Sequence, residues 1–197
     1  MRRYTLCHLA CYASLLLASC SSTYERRDPT GEMFPSVQGR SLAKQVVSIP
    51  EAFRGKPVLL FVGYKMETQF DIDRWLMALQ EAKVDVPVYE LPTIIGLVPG
   101  LFASQIDAGM RSGIPPGDWA IVITLYDDAD TVAKFLGNRP KLPARVVLLD
   151  KDGRVAFFDD RGYSLQILLR LKEKVDQLTA PEGQAVSYTH LTLPTKA

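Results

Sequence analysis

From residue 33 onward the apolar positions of this chain alternate between two periods, and the switches between them predict its elements. Residues 58–62 form an unbroken aliphatic run, as a strand covered on both faces would. Over residues 70–82, Ile72, Trp75, Leu76 and Leu79 recur at helical spacing and share one face. Residues 86–91 read as a second strand, and residues 100–111 as a helix carrying Leu101, Phe102, Ile106 and Met110. Residues 119–126 read as a third strand with Trp119 in the core. Asp127 or Asp128 can then cap a helix that closes at Gly137, a residue suited to a helix end. Residues 145–149 and 155–159 flank Asp150, Lys151, Asp152 and Gly153, a hairpin signal. Leu165, Leu168, Leu171, Val175 and Leu178 stripe a last helix. The order β-α-β-α-β-α-β-β-α predicts an α/β domain, a mixed central sheet with helices on both faces.

The two ends do not share this patterning. Arg2 and Arg3 precede an apolar stretch from Leu6 to Leu17, about twelve positions against the ~20 needed to cross a bilayer. The stretch ends in Leu17, Ala18, Ser19 and Cys20, which resembles the lipobox of bacterial lipoproteins. That resemblance implies a signal peptide over 1–19 that removes Cys7 and Cys11, and a lipid on Cys20 that tethers the domain to a membrane. By the same resemblance, serines at 21 and 22 with no Asp after the cysteine imply the outer membrane rather than the inner, with the domain facing the periplasm. Residues 20–31 are polar and predict an anchor and extended tether that holds the domain off the headgroups. At the other end, residues 180–197 predict a disordered tail, of which 186–197 is similar to the translation of a common transposon-based sequencing adapter. The folded domain is expected over 32–179.

Composition changes the picture only once these ends are set aside. The 197 residues include 3 Cys and 2 His, but Cys20 precedes the mature domain, His8 lies in the signal and His190 in the tail. Residues 21–185 contain neither residue type. Ser-His-Asp and Cys-His nucleophiles, internal thiol cycling, the usual structural zinc sites and His-ligated haem are therefore excluded for this domain. Removing Arg2, Arg3 and Lys196 from the 23 cations leaves 20 against 22 acids, a balance that gives no general reason to expect nucleic acid as a partner. No metal or cofactor is expected. The acids at 127, 128 and 130 sit where a helix start accepts them, and Asp159, Asp160 and Arg161 read as a surface ion network, with a binding edge as the alternative.

The C-terminal pattern of Leu142 and Pro143, a strand, a tight turn, a strand to Phe158 and a helix from Leu165 resembles the thioredoxin-like superfamily in its peroxiredoxin-like form. Phe34, Pro35, Gly39 and Leu42, then Phe53 through Phe61, look like its front. The resemblance implies a three-layer fold and places Pro143 at the superfamily's cis-proline. It also puts residues 63–70 where redox members carry a cysteine, a position that here has no thiol. Residues 34–42 and 67–70 are further similar to the thioredoxin-like mitochondrial ATP synthase assembly-factor family, which implies a chaperone or assembly role.

Function is then expected in the loop from 63 to 74. Tyr64, Lys65, Glu67, Gln69, Asp71 and Arg74 concentrate hydrogen-bonding groups beside a helix start, and with Pro143 they predict a recognition surface for another envelope protein. The competing reading is an oxidoreductase-related enzyme with cysteine-independent chemistry at the same loop, or one whose partner supplies the thiol.

Overall fold

The computed structural model describes residues 23–96 and 101–180. Cys20, the signal region and the tail from 181 lie outside the described residues.

Among the described residues seven strands form two hydrogen-bonded groups, in the orders β2-β1-β5 and β4-β3-β6-β7. β1 (Val37–Ser41) and β2 (Val46–Ile49) make an antiparallel hairpin, and β5 (Ile123–Thr124) pairs with β1. β3 (Val58–Gly63) is the central strand, parallel to β4 (Val88–Pro92) and antiparallel to β6 (Arg145–Leu149), which pairs with β7 (Val155–Asp159). Parallel bridges from Glu90 to Val122 and from Thr93 to Leu125 join the two groups into one mixed sheet.

Helices α1 (Gln69–Glu81) and α4 (Leu165–Thr179) cover one face. There Trp75, Ile72, Leu171 and Val175 pack on Leu59, Phe61, Val146 and Leu148. Helix α3 (Ala129–Leu136) covers the other, with Val132 and Leu136 against Leu60, Val62, Val147 and Leu149. Successive residues of β3 thus feed opposite cores, which explains its continuous aliphatic run. Each such leucine or valine, fully removed from water, contributes roughly 1.5–3 kcal/mol. The expected α/β architecture and the 145–149 and 155–159 hairpin stand as read. Asp150 shapes that turn by accepting the amides of Asp152 and Arg154, and Gly153 adopts φ +85°.

Several expectations are corrected. The β1–β2 hairpin carries no periodic signal, because its alternation is too brief, over nine or so residues, to register as a period. Helix α2 (Ala103–Gly113) forms, yet its predicted apolar stripe is not core: Leu101 and Phe102 are exposed, and the one buried residue is Asp107. The helix is fastened by polar contacts instead, the Tyr126 hydroxyl donating to Asp107 (2.9 Å) and Arg111 to the Leu42 carbonyl (2.7 Å). Trp119 lies in a turn before β5, half-buried, with its indole N–H donated to the Ile114 carbonyl. Leu165 is exposed. Asp128 precedes α3 as expected, but its carboxylate accepts the Gln38 amide rather than capping the helix.

The segment read as an extended tether is docked from Tyr24 onward. Tyr24 and Asn138 exchange hydrogen bonds, Arg26 pairs with Asp160, and Gly31 donates to the Val155 carbonyl. Arg27 lies over the Phe135 ring, 5.3 Å from its centroid. The segment is therefore a strap along α3 and β7, its exposed Arg26 and Arg27 reaching the domain through Asp160 and the Phe135 ring.

Candidate functional site

β3 delivers the chain to the predicted loop through Gly63, where a Cβ would stand 3.3 Å from the Thr68 methyl. That close approach folds residues 64–68 into a tight turn, with Lys65 extended and a 3-10 turn over Met66–Thr68 leading into α1. Lys65, Glu67 and Gln69 consequently project outward, while Thr68 is buried and its hydroxyl donates to the Lys141 carbonyl (3.4 Å). The loop before β6, which carries Pro143, is in this way held beside the turn. Gln69 donates to Asp73 (2.9 Å), and Arg74, also exposed, donates to the Phe70 carbonyl and to Asp71.

Asp71 does not belong to the exposed surface. Its two oxygens accept the amides of Ala144 (3.1 Å) and Tyr163 (3.0 Å), so one buried carboxylate bolts the start of α1 to the loops entering β6 and α4. Pro143 is half-buried beside it. The cis peptide bonds among the described residues are Ile49–Pro50 and Arg139–Pro140, so the bond before Pro143 is trans, contrary to the correspondence drawn from the superfamily.

Tyr64 also turns inward, onto a residue that sequence reasoning overlooked. Arg145, the first residue of β6, is fully buried, and its guanidinium lies 5.0 Å from the centroid of the Tyr64 ring. Its Nε donates to the Gly137 carbonyl at the end of α3 (3.2 Å) and its Nη1 to the Pro143 carbonyl (2.9 Å). A cation is well placed at a helix C-terminus, where carbonyl dipoles converge. Burial nonetheless lowers the Arg145 pKa, opposed by Tyr64 and Asp160, and burial pushes the Tyr64 phenol well up. Neither Arg145 Nη2 nor the Tyr64 hydroxyl makes a hydrogen bond. A phenol so disposed is a poor base or nucleophile at neutral pH. The signal available in the sequence was a lone arginine heading an otherwise aliphatic strand.

The strap roofs this centre. Arg26 Nε donates to Asp160 Oδ2 (2.8 Å) and its Nη2 stands 2.7 Å from Oδ1, while the Glu25 carbonyl oxygen lies 2.5 Å from where a Cβ on Gly137 would be. Asp159 and Asp160 are buried rather than a surface network, Asp159 being held by Arg161 (2.5 Å) and Arg170 (3.4 Å). On the other side of the loop, burial raises the pKa of Glu90; its hydrogen bond with Gln69 opposes this, and Asp73 and Asp118 reinforce it.

The structure therefore brings Lys65, Glu67 and Gln69 together on one exposed turn with Arg74 alongside, and converts Tyr64, Asp71 and Pro143 into its supports. Among the described residues no group of His, Cys, Asp and Glu is arranged to hold a metal ion, and no helix is long and apolar enough to cross a membrane.

No protein-family model matches the chain, and no curated protein gives a significant match. Solved structures do. A putative electron transfer protein from Aquifex aeolicus VF5 superposes with a TM-score of 0.56 at 15% identity, over 75% of this chain and 96% of that one. A SCO1/SenC family lipoprotein from Bacillus anthracis str. Ames gives 0.54 at 12%, over 79% and 100%. The thioredoxin domain of a thiol-disulfide oxidoreductase from Bacteroides vulgatus gives 0.51 at 18%, over 76% and 99%. These neighbours and the α/β/α layering make the fold of this chain thioredoxin-like.

Proposed function

We propose that the chain is a lipid-anchored, thiol-free thioredoxin-like module of the bacterial envelope that binds another envelope protein in an assembly or chaperone role. One observation carries this reading: the turn after the central strand, where redox members of the superfamily place a cysteine, presents Lys65, Glu67 and Gln69 outward on a rigid frame of Asp71, Thr68 and Arg145. Exposed charged and amide groups on a fixed frame suit polar recognition of a partner. The buried, protonated Tyr64 gives the competing enzymatic reading little to work with. Lipidation at Cys20 is supported by the lipobox pattern, and one structural neighbour is itself described as a lipoprotein.

Crosslinking and capture from membranes with the intact chain tests the proposal. Lys65→Ala, Glu67→Ala and Gln69→Ala combined should abolish capture of a specific protein while leaving thermal unfolding unchanged. Equal capture by the folded triple variant would sink it.

A further inference from the structure

Four large apolar side chains stand exposed at one end of the domain: Met66 (90%), Phe70 (73%), Leu142 (55%) and Leu165 (62%). They come from three separate segments that Asp71 ties together. Phe70 adjoins Asp71 itself, Leu142 lies two residues before Ala144, and Leu165 two residues after Tyr163, the residues whose amides Asp71 accepts. Thr68 adds a bond to the Lys141 carbonyl, which draws Leu142 toward the Met66 turn. The same end carries the exposed cations Lys65, Arg74, Arg139 and Arg161, interleaved with the exposed acids Glu67, Asp73 and Glu25, the last of which pairs with Arg139. Asp71 and Asp159, which pair two of them, are themselves buried.

The strap sets where this end must sit. Tyr24 is locked to Asn138, four residues before Leu142 in the same loop. Cys20 is four residues before Tyr24, a stretch that cannot exceed about 14 Å even fully extended. An acylated Cys20 would therefore hold Asn138, and with it the start of the loop that carries Leu142, close to the headgroups rather than ten residues away from them.

Resting on the lipoprotein reading above, we infer that the Met66, Phe70, Leu142 and Leu165 end docks on the bilayer that carries the anchor. Apolar side chains among Lys and Arg are the combination that enters the headgroup boundary of an anionic membrane. Anchoring supplies the high local concentration that lets so small a patch engage.

The mature domain has no cysteine besides Cys20, so a single introduced thiol can be labelled selectively. The lipidated full chain bearing Leu142→Cys, Phe70→Cys or, in the β6–β7 turn at the far end, Asp152→Cys is labelled with a fluorophore. It is then reconstituted in protein-free phosphatidylethanolamine and phosphatidylglycerol vesicles doped with brominated lipid. Quenching at 70 and 142 should exceed that at 152 several-fold, and Met66→Glu with Leu165→Glu should reduce it. Equal quenching at all three positions, or crosslinking of position 142 to a protein in native membranes with no quenching in vesicles, overturns the inference. The mass of the N-terminal peptide, read on the same samples, separates the two claims: an acylated chain that is not quenched leaves the lipoprotein reading intact, whereas an unmodified Cys20 removes both.

Discussion

Asp71 and Ala144 lie 73 positions apart, yet the carboxylate of one accepts the amide of the other at 3.1 Å. Its second oxygen takes the amide of Tyr163, so the first turn of α1, the entry to β6 and the entry to α4 share one acceptor. Asp71→Ala leaves two amides without a partner, each costing about 1–3 kcal/mol. Urea denaturation should show a loss of roughly 2–4 kcal/mol at an unchanged slope, with Asp71→Asn losing less because its amide oxygen still accepts one bond. Wild-type stability in Asp71→Ala would mean that the bolt is not carrying load.

Tyr64 gives a prediction of opposite sign. Its hydroxyl is buried without a hydrogen bond, so Tyr64→Phe removes an unsatisfied group and keeps the ring over Arg145. Stability should rise by about 1 kcal/mol. The folded phenol titrates above its ordinary value of 10.0, so the folded state holds its proton where the unfolded chain releases it. Wild-type stability should therefore fall as the pH climbs above 10, and the Phe variant should fall less. Paired denaturation curves at pH 7 and pH 10.5 check both statements.

Arg145 and Tyr64 should also be coupled. Arg145→Met leaves the Gly137 and Pro143 carbonyls without their donor, at about 1–3 kcal/mol each, offset in part by removal of a desolvated cation whose Nη2 has no partner, so a net loss of roughly 1–3 kcal/mol is expected. Combined with Tyr64→Leu, a double-mutant cycle should return about 1–2 kcal/mol of interaction for the desolvated cation over the ring. A coupling near zero would make the stacking incidental.

Gly137 admits the strap. With φ +73° and the Glu25 carbonyl 2.5 Å from any added Cβ, Gly137→Ala must both strain the backbone and lift the strap. A loss of about 2 kcal/mol is expected. The amides of Tyr24 and Asn138, bonded to each other's residues, should exchange with solvent much faster while those of β3 do not. Uniform acceleration would instead indicate global destabilisation.

Glu90 adds a pH dependence in the acid range. Its folded pKa is raised above 4.5 by burial, so the folded state binds the proton more tightly than the unfolded one. Its contribution is most favourable below about pH 4.5 and is lost as the pH rises through the folded value. Glu90→Gln should accordingly raise the Tm at pH 7, with the advantage shrinking toward pH 4.

By itself the sequence determined the layered α/β architecture, because burial on two faces writes period and run length directly into strands such as β3, β6 and helices such as α1 and α4. It also determined that the domain holds no thiol or imidazole, a matter of residue identity alone. Tertiary structure decided which polar groups face outward. Asp71 is indistinguishable in sequence from solvated neighbours such as Glu67, since what internalises it is a pair of amides, those of Ala144 and Tyr163, 73 and 92 residues away. The strap was illegible for the same reason: a polar segment reads as tether until Asn138, Asp160 and Gly137 supply its partners. Local patterning records the demand of each residue for water or oil, whereas a buried polar bond depends on a partner whose position only the completed fold sets.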